Sequence, residues 1–173
     1  NNNANRGGGV YWWASNGRLT NSNFTGNTVK GSYGNGGGVY WWAANGILSD
    51  SSFTNNSAIG TSGYGGGVFW GGHSVNSTLI GSIFLNNIAT HGGAIYWTMA
   101  GDIIGCEFSN IKWIKSNSKS NGIFANKDLN INGGKGIIDI SISGTLSGIS
   151  IVVLNNETYY YPPDTNINLP NKK

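Results

Sequence analysis

Up to about residue 110, short apolar segments alternate with glycine and asparagine, and the alternation recurs at nearly constant spacing. The heptapeptide GGGVYWW begins at Gly7 and begins again, unchanged, at Gly36. Three further units with related openings begin at Gly65, Gly92 and Asn121, the last of them strongly diverged. Internal repetition of this length is typical of solenoids, in which each structural unit packs only on its neighbours.

Aligned on their glycines, the units keep the chemistry of several columns. The first three columns hold an aliphatic residue, an aromatic residue and tryptophan: Val10, Val39, Val68, Ile95 and Ile123; Tyr11, Tyr40, Phe69, Tyr96 and Phe124; Trp12, Trp41, Trp70 and Trp97. Later columns hold leucine or isoleucine, a small residue, phenylalanine and asparagine: Leu19, Leu48, Leu79 and Ile103; Ser22, Ser51, Ser82 and Cys106; Phe24, Phe53, Phe84 and Phe108; Asn27, Asn56 and Asn87.

Apolar positions follow one another at short, strand-like spacings in every unit, with no helical periodicity, so each unit is predicted to be several short strands joined by turns. One unit cannot bury its own apolar side chains, whereas stacked units can, with strands about 4.8 Å apart. The sequence therefore predicts an all-β fold, a parallel β-helix of about five coils. In such a stack phenylalanine lies on phenylalanine, the asparagines exchange side-chain hydrogen bonds, and Cys106 is a small buried residue of the serine column rather than a reactive thiol.

Two short motifs within these columns, GG[A/G][I/V] and FxxN, carry a family resemblance. They are found at Gly92–Ile95 and its Gly-Gly-Gly-Val equivalents, and at Phe24–Asn27, Phe53–Asn56 and Phe84–Asn87. Four units in register resemble the repeats of polymorphic outer membrane proteins and of adhesin-like surface proteins of methanogenic archaea. The resemblance covers residues 1 to about 110 well. It implies a right-handed β-helix displayed extracellularly at a cell surface, often as an adhesin, and it does not imply an enzyme.

Strand alternation turns part of the repeated heptapeptide outward. If Val10 faces the interior, Trp12 does too, and Tyr11 and Trp13 face out. The same parity in later units predicts an outer aromatic strip as the candidate ligand site, made of Tyr11, Trp13, Tyr40, Trp42, Phe69 and Tyr96. Flat rings on a rigid face suit the apolar C–H faces of sugars. Three alternatives stay open: reversed parity, because tryptophan is large for a β-helix interior; rings that only stabilise the stack; and a strip covered by a neighbouring domain.

Composition narrows the function classes. Only 10% of the 173 residues are charged, and the net charge of +3 is too small to argue for nucleic-acid binding. One cysteine excludes an internal disulfide and multi-cysteine metal sites. No apolar run is long enough to insert into a membrane, and no signal peptide is recognisable. Because the chain opens on asparagines, we expect it to be a segment of a longer protein.

Catalytic chemistry finds little support. The acidic residues of the first four units are Asp50, Asp102 and Glu107, and they lack both the paired arrangement that glycoside hydrolysis needs and the aspartate-rich pattern of a calcium site. His73 and His91 stand in different columns without acidic neighbours, which is typical of turn residues. We therefore expect no catalytic residues, no metal site and no cofactor.

Two surface features accompany the repeats. Lys112–Lys119 interrupts the repeat with three lysines; it is interpreted as a solvated insertion, with contact to an anionic glycan or a nucleic acid as the alternative. Sequons for N-glycosylation occur at Asn23, Asn55, Asn76 and Asn156, and chance accounts for some of them in a chain so rich in asparagine.

The sequence predicts two regions: β-helix repeats over residues 1–135 and a C-terminal β segment over residues 136–173. The second region is either a cap of the helix end or the start of an immunoglobulin-like module. The expected function is that of a non-enzymatic cell-surface adhesin or stalk, a glycoprotein that contacts glycans or neighbouring cells. Self-assembly into a surface layer or filament is the alternative, and a β-helical polysaccharide-degrading enzyme ranks third.

Overall fold

A computed structural model shows an all-β chain wound as a parallel β-helix, as predicted. The structure describes residues 1–109 and 122–132. Elsewhere it describes only the backbone of six strands: Lys112–Trp113, Lys135–Gly136, Ile140–Ile142, Leu146–Ser147, Ile151–Leu154 and Glu157–Tyr160. The described part contains no helix long and apolar enough to cross a bilayer.

Four parallel sheets run along the β-helix, and each is named here after its main interior residue or its length. The tryptophan sheet consists of Val10–Trp12, Val39–Trp41, Val68–Trp70, Ile95–Trp97, Ile123–Ala125 and Ile140–Ile142. The leucine sheet consists of Arg18–Thr20, Ile47–Ser49, Ser77–Ile80, Gly101–Ile104, Leu129–Asn132 and Leu146–Ser147. The phenylalanine sheet consists of Asn23–Thr25, Ser52–Thr54, Ile83–Leu85, Glu107–Ser109 and Lys135–Gly136. The short sheet consists of Asn3–Ala4, Thr28–Val29, Ser57–Ala58, Ile88–Ala89 and Lys112–Trp113.

Strand register matches the repeat alignment. In the tryptophan sheet Val39 pairs with Val10 on one side and with Val68 on the other, one coil apart. In the phenylalanine sheet Phe53 pairs in the same way with Phe24 and Phe84. Four turns place one strand in each of the four sheets, and a fifth turn supplies strands to three of them. The predicted columns are therefore ladders of identical or similar residues.

The interior holds the aliphatic and tryptophan columns together, so the predicted strand parity is confirmed and the reversed parity is wrong. Val39, Trp41, Val68 and Trp70 are fully buried in one core with the leucine and phenylalanine columns. Consecutive indoles from Trp12 onward stack with ring centroids 4.9, 5.4 and 4.4 Å apart. Stacking lets a narrow interior accept tryptophan, because each ring covers the face of the next.

Each glycine of the repeated motif has a separate structural role. Gly36 adopts a φ of 70°, a conformation that favours glycine. A Cβ atom on Gly37 would meet the carbonyl oxygen of Gly66 in the next coil, so this position allows the close approach of two backbones. A Cβ atom on Gly38 would lie 2.9 Å from the ring of Phe53. The motif therefore sets the turn, the spacing between coils and the packing of the phenylalanine column.

A hydrogen-bonded asparagine ladder crosses the interior, as predicted. The Nδ2 of Asn27 donates to Oδ1 of Asn56 at 3.0 Å, and Nδ2 of Asn56 donates to Oδ1 of Asn87 at 3.1 Å. Backbone N–H groups join the same ladder, since that of Asn27 also donates to Oδ1 of Asn56. The buried amides of this ladder are paired, as most polar groups inside a protein are.

The serine column is equally regular, and Cys106 continues it. The hydroxyl of Ser82 donates to the carbonyl oxygen of Ile80 at 2.9 Å, and the Cys106 thiol lies 3.6 Å from the carbonyl oxygen of Ile104, which is the equivalent atom. Burial raises the pKa of the Cys106 thiol to about 11. Its role as a small buried residue follows, because a raised pKa disfavours the reactive thiolate.

Beyond residue 135 the parallel pairing continues. Ile140–Ile142 pairs with Ile123–Ala125, and Leu146–Ser147 pairs with Leu129–Asn130, while Ile151–Leu154 and Glu157–Tyr160 form an antiparallel hairpin. Whether residues 136–173 are a cap or the start of a further module stays a prediction. The side chains of that segment and most of Lys112–Lys119 lie outside the described residues.

Candidate functional site: the outer aromatic strip

The aromatic strip predicted from the sequence (Tyr11, Trp13, Tyr40, Trp42, Phe69 and Tyr96) lies on the outer side of the tryptophan sheet and the residues that follow it. Its rings form two columns. In the first, consecutive rings from Tyr11 through Phe124 stack with centroids 4.8, 4.9, 5.5 and 4.7 Å apart. In the second, Trp13 stacks on Trp42 at 5.6 Å.

The rings are laid face to face along the helix axis, and this decides which of them can meet a ligand. Tyr11 and Trp13 are 47% and 59% exposed, whereas Tyr40 and Phe69 are only 2% and 5% exposed. Tyr40 lies between Tyr11 and Phe69, so both of its faces are covered. Tyr40 and Phe69 therefore present no open ring face, although both side chains point away from the interior.

Tyr11 and Trp13 together form a flat surface. Their rings are 6.1 Å apart and inclined by only 8°, and the pair below them, Tyr40 and Trp42, repeats this geometry at 5.9 Å and 2°. The two rings are thus nearly parallel, and Tyr40 and Trp42 support them from beneath.

Trp42 is partly exposed and fixed by glycine. Cβ atoms on Gly71 and Gly72 would collide with or touch its indole, so the ring lies flat against that bare stretch of backbone. His73 meets Trp42 edge-on with centroids 5.9 Å apart. At the position where the first two units have tryptophan, the third unit has glycine, Gly71. Because Gly71 has no side chain, the Trp42 indole can pack on the backbone there.

Two residues beside the strip were not predicted from the sequence. The Arg6 guanidinium lies 5.8 Å from the centre of the Tyr40 ring, a cation–π contact, and Tyr64 lies 4.6 Å from Tyr96. Both precede a glycine run, and backbone bridges join this column from Arg6 through Asn35 and Tyr64 to His91. The repeat spacing places these residues in one column, but their side chains differ too much in chemistry for the column to be recognised from the sequence.

Burial changes the acidity of the strip. Desolvation raises the pKa of Tyr40 to about 12, against the opposing effect of Arg6. Desolvation also raises the pKa of Tyr96, whose hydroxyl accepts a hydrogen bond from Nδ2 of Asn126 at 3.4 Å. Both hydroxyls therefore stay neutral at physiological pH.

This shift predicts a loss of stability at high pH. Between about pH 10 and pH 12 an unfolded Tyr40 ionises while a folded one keeps its proton, so the free energy of unfolding falls as pH rises, by about 2 kcal/mol. Tyr40→Phe is expected to lose less stability than the wild type between about pH 9.5 and pH 11.5 in urea unfolding, since it lacks this term. Tyr33→Phe, at an exposed ring, serves as the matched control and keeps the wild-type slope. Equal slopes for all three proteins would contradict the assignment.

The remaining candidates for chemistry are dispersed. Asp102 lies on the leucine sheet, where it accepts a hydrogen bond from Asn130 at 3.0 Å, and Glu107 lies on the phenylalanine sheet. His73 is in a loop, and His91 contacts Tyr64 at 5.0 Å in the bridged column. Among the described residues no three histidine, cysteine, aspartate or glutamate side chains are grouped to hold a metal ion.

The sequons differ in their surroundings. Asn55 and Asn76 are exposed in turns with φ values of 57° and 53°, and Asn23 is exposed on a strand of the phenylalanine sheet. Asn156 lies outside the described residues. Glycosylation at these positions stays a prediction.

Comparisons with models of protein families, with curated protein sequences and with solved structures give no match to this chain.

Proposed function

We propose that this chain is a non-enzymatic, extracellular segment of a cell-surface adhesin or stalk, and that it binds glycans through the exposed part of the aromatic strip. The observation that carries the proposal is the outer aromatic strip on a rigid scaffold, in which Tyr11 and Trp13 are nearly parallel and about half exposed and Trp42 and Tyr96 are partly exposed. Exposed aromatic surface of this kind is typical of binding sites.

The chemistry of the rings favours a sugar ligand. A pyranose has an apolar C–H face that packs on an aromatic ring, while its hydroxyls stay in water. Trp42 and Tyr96, which are partly exposed members of the stacked columns, offer ring edges to such a ligand. Tyr40 and Phe69 act from beneath by holding the exposed rings in place. A surface fixed in this way loses little conformational freedom on binding.

The scaffold supports display rather than turnover. Side-chain ladders connect every coil to the next, and few charged residues interrupt the surface of the first three coils. The resemblance of the GGAI and FxxN motifs to those of surface adhesins agrees with this role. A rigid stack of coils also holds its two ends at a fixed distance from each other.

A glycan array with the purified chain tests the proposal. The informative variant is the double substitution Tyr11→Ala and Trp13→Ala, which removes the exposed pair and leaves the buried rings intact. The matched control is Tyr33→Ala, because Tyr33 is also an exposed aromatic residue but belongs to no stacked column among the described residues. Binding by the wild type and the control, but not by the double variant, supports the proposal. Absence of binding by the wild type would overturn it, provided that circular dichroism shows β-structure.

Self-assembly is the second candidate, and one surface feature favours it. Ile80, Ile83 and Ile104 lie on the outer side of the leucine and phenylalanine sheets, with Ile80 paired to Ile104 in neighbouring strands. Aliphatic side chains grouped on a surface are typical of protein contacts. Light scattering over a range of concentrations, compared with Ile83→Ser, tests this candidate; an unchanging monomer mass excludes it.

A further inference from the structure

Three asparagine–glycine pairs lie entirely within the described residues: Asn16–Gly17, Asn35–Gly36 and Asn45–Gly46. In such a pair the backbone nitrogen of glycine can reach the side-chain carbonyl carbon of asparagine, because glycine has no side chain in the way. Asparagine is a chemically labile residue for this reason. The structure gives the three pairs different surroundings, and these decide which of them can react.

Asn16 and Asn45 are a matched pair in the turns between the tryptophan and leucine sheets. Their φ values are 61° and 55°, and both side chains are exposed. They also share a hydrogen bond, since Nδ2 of Asn45 donates to Oδ1 of Asn16 at 2.9 Å. Asn35, in contrast, is buried. Backbone conformation and side-chain exposure therefore do not distinguish Asn16 from Asn45.

The backbone N–H of the following glycine does distinguish them. The N–H of Gly46 donates to Oγ of the fully buried Ser77 at 3.2 Å, and that of Gly36 donates to the carbonyl oxygen of Tyr64 at 2.9 Å. Among the residues that the structure describes, the N–H of Gly17 has no hydrogen-bond acceptor. The nitrogen that would attack asparagine is thus held in two pairs and unpaired in the first.

This difference follows from the packing of the tryptophan column. Strand register places Gly46 beside Gly17 in the same way that it places Ser77 beside Gly46. A Cβ atom on Gly46 would lie 2.6 Å from the Trp41 indole, so position 46 cannot carry a serine hydroxyl. The second coil therefore cannot give Gly17 the acceptor that the third coil gives Gly46.

We infer that Asn16 is a site of spontaneous deamidation, and that Ser77 protects Asn45 from the same reaction. The Gly17 nitrogen loses its proton to solvent and bonds to Cγ of Asn16. The Cγ–Nδ2 bond breaks, and Nδ2 leaves as ammonia with a proton from water. Water then opens the cyclic imide at one of its two carbonyls, which gives aspartate or isoaspartate.

The two products affect the turn differently. Aspartate puts a carboxylate into positions 1–49, which contain no acidic residue, and still offers an oxygen to Nδ2 of Asn45. Isoaspartate adds a carbon to the main chain just before Gly17, where the backbone packs against the Trp12 indole. The isoaspartate product therefore disturbs the register of the first coil.

Incubation of the folded chain in mildly alkaline buffer tests the inference. Chymotrypsin then releases fragments 14–19, 34–40 and 43–48, each of which holds one asparagine, for mass spectrometry. Fragment 14–19 is expected to convert amide to acid at least about fivefold faster than fragment 43–48, the factor that corresponds to one ordinary hydrogen bond. Fragment 34–40 should react slowest, because Asn35 is also buried.

Ser77→Ala is the informative variant, and Ser82→Ala is its matched control. Both serines are fully buried, and each accepts a backbone N–H at 3.2 Å, Ser77 from Gly46 and Ser82 from Ser51. Ser77→Ala should speed deamidation of Asn45 about fivefold, because it frees the N–H of Gly46. Ser82→Ala should change that rate by less than about twofold, since it leaves this N–H paired.

A rise at Asn45 in Ser77→Ala alone supports the inference, together with fast reaction of Asn16 in the wild type. Equal rates for Asn16 and Asn45 in the folded wild type overturn it. If Asn16 is faster but Ser77→Ala leaves Asn45 unchanged, the place of the coil in the stack sets the rate, and the inference is wrong. It is also wrong if the same order of rates persists in urea, where the three pairs should react alike.

Discussion

Asn56→Ala is expected to lower the free energy of unfolding by about 3–5 kcal/mol, because the buried amide of Asn56 serves several partners at once. Its Oδ1 accepts from the backbone N–H and from Nδ2 of Asn27, both at 3.0 Å. Its Nδ2 donates to the carbonyl oxygen of Phe24 at 2.8 Å and to Oδ1 of Asn87 at 3.1 Å. Alanine leaves these groups buried without a replacement, and each unsatisfied group costs about 1–3 kcal/mol.

Urea unfolding followed by circular dichroism measures this loss, with Asn23→Ala as the control. Asn23 lies one coil earlier, exposed on a strand of the phenylalanine sheet, so its removal should change stability by less than about 0.5 kcal/mol. The contrast separates the buried ladder from asparagine content in general. A loss below about 1 kcal/mol for Asn56→Ala would mean that water or neighbouring groups replace the amide.

The fold could be predicted from the sequence because the same residue pattern recurs in successive units. A single Phe-x-x-Asn motif is weak, but Phe24, Phe53 and Phe84 recur in register with the asparagines three residues later. A parallel β-helix converts that spacing directly into contacts, since equal positions in successive units become neighbours. The serine column shows how far this extends: Cys106 differs in chemistry from Ser82 and yet keeps the position and the backbone partner of a column member.

The candidate site could be predicted only in part, and for a physical reason. Strand parity gives the direction in which Tyr40 points, but its exposure depends on the tilt of its ring against Tyr11 and Phe69. Rings stacked face to face cover one another, whereas rings laid flat on the sheet would not. The contact of Arg6 with Tyr40 depends equally on side-chain geometry that no spacing specifies. The sequence therefore predicts the ladder, and the structure separates its exposed members from its supporting ones.

Trp70→Ala is expected to lower the free energy of unfolding by about 3–5 kcal/mol, the range for removing a large aromatic side chain from a packed core. Trp70 is fully buried between Trp41 at 5.4 Å and Trp97 at 4.4 Å, so alanine opens a cavity in the middle of the indole stack. Trp13→Ala is the control, because that ring is 59% exposed on the outer side; its loss should stay near about 1 kcal/mol.

Trp70→Phe separates packing from hydrogen bonding in the same position. The buried Nε1 of Trp70 has no hydrogen-bond partner among the described residues, whereas Nε1 of Trp12 donates to the carbonyl oxygen of Ala14 at 2.8 Å. Phenylalanine keeps a ring in the stack and gives up no hydrogen bond there, so its cost should be about half that of alanine. Urea unfolding of the three variants gives the order Trp13→Ala, Trp70→Phe, Trp70→Ala by increasing loss. If Trp70→Phe and Trp70→Ala lower the free energy of unfolding equally, the indole N–H and not the ring stack stabilises this position. That result would mean that the N–H has a hydrogen-bond partner.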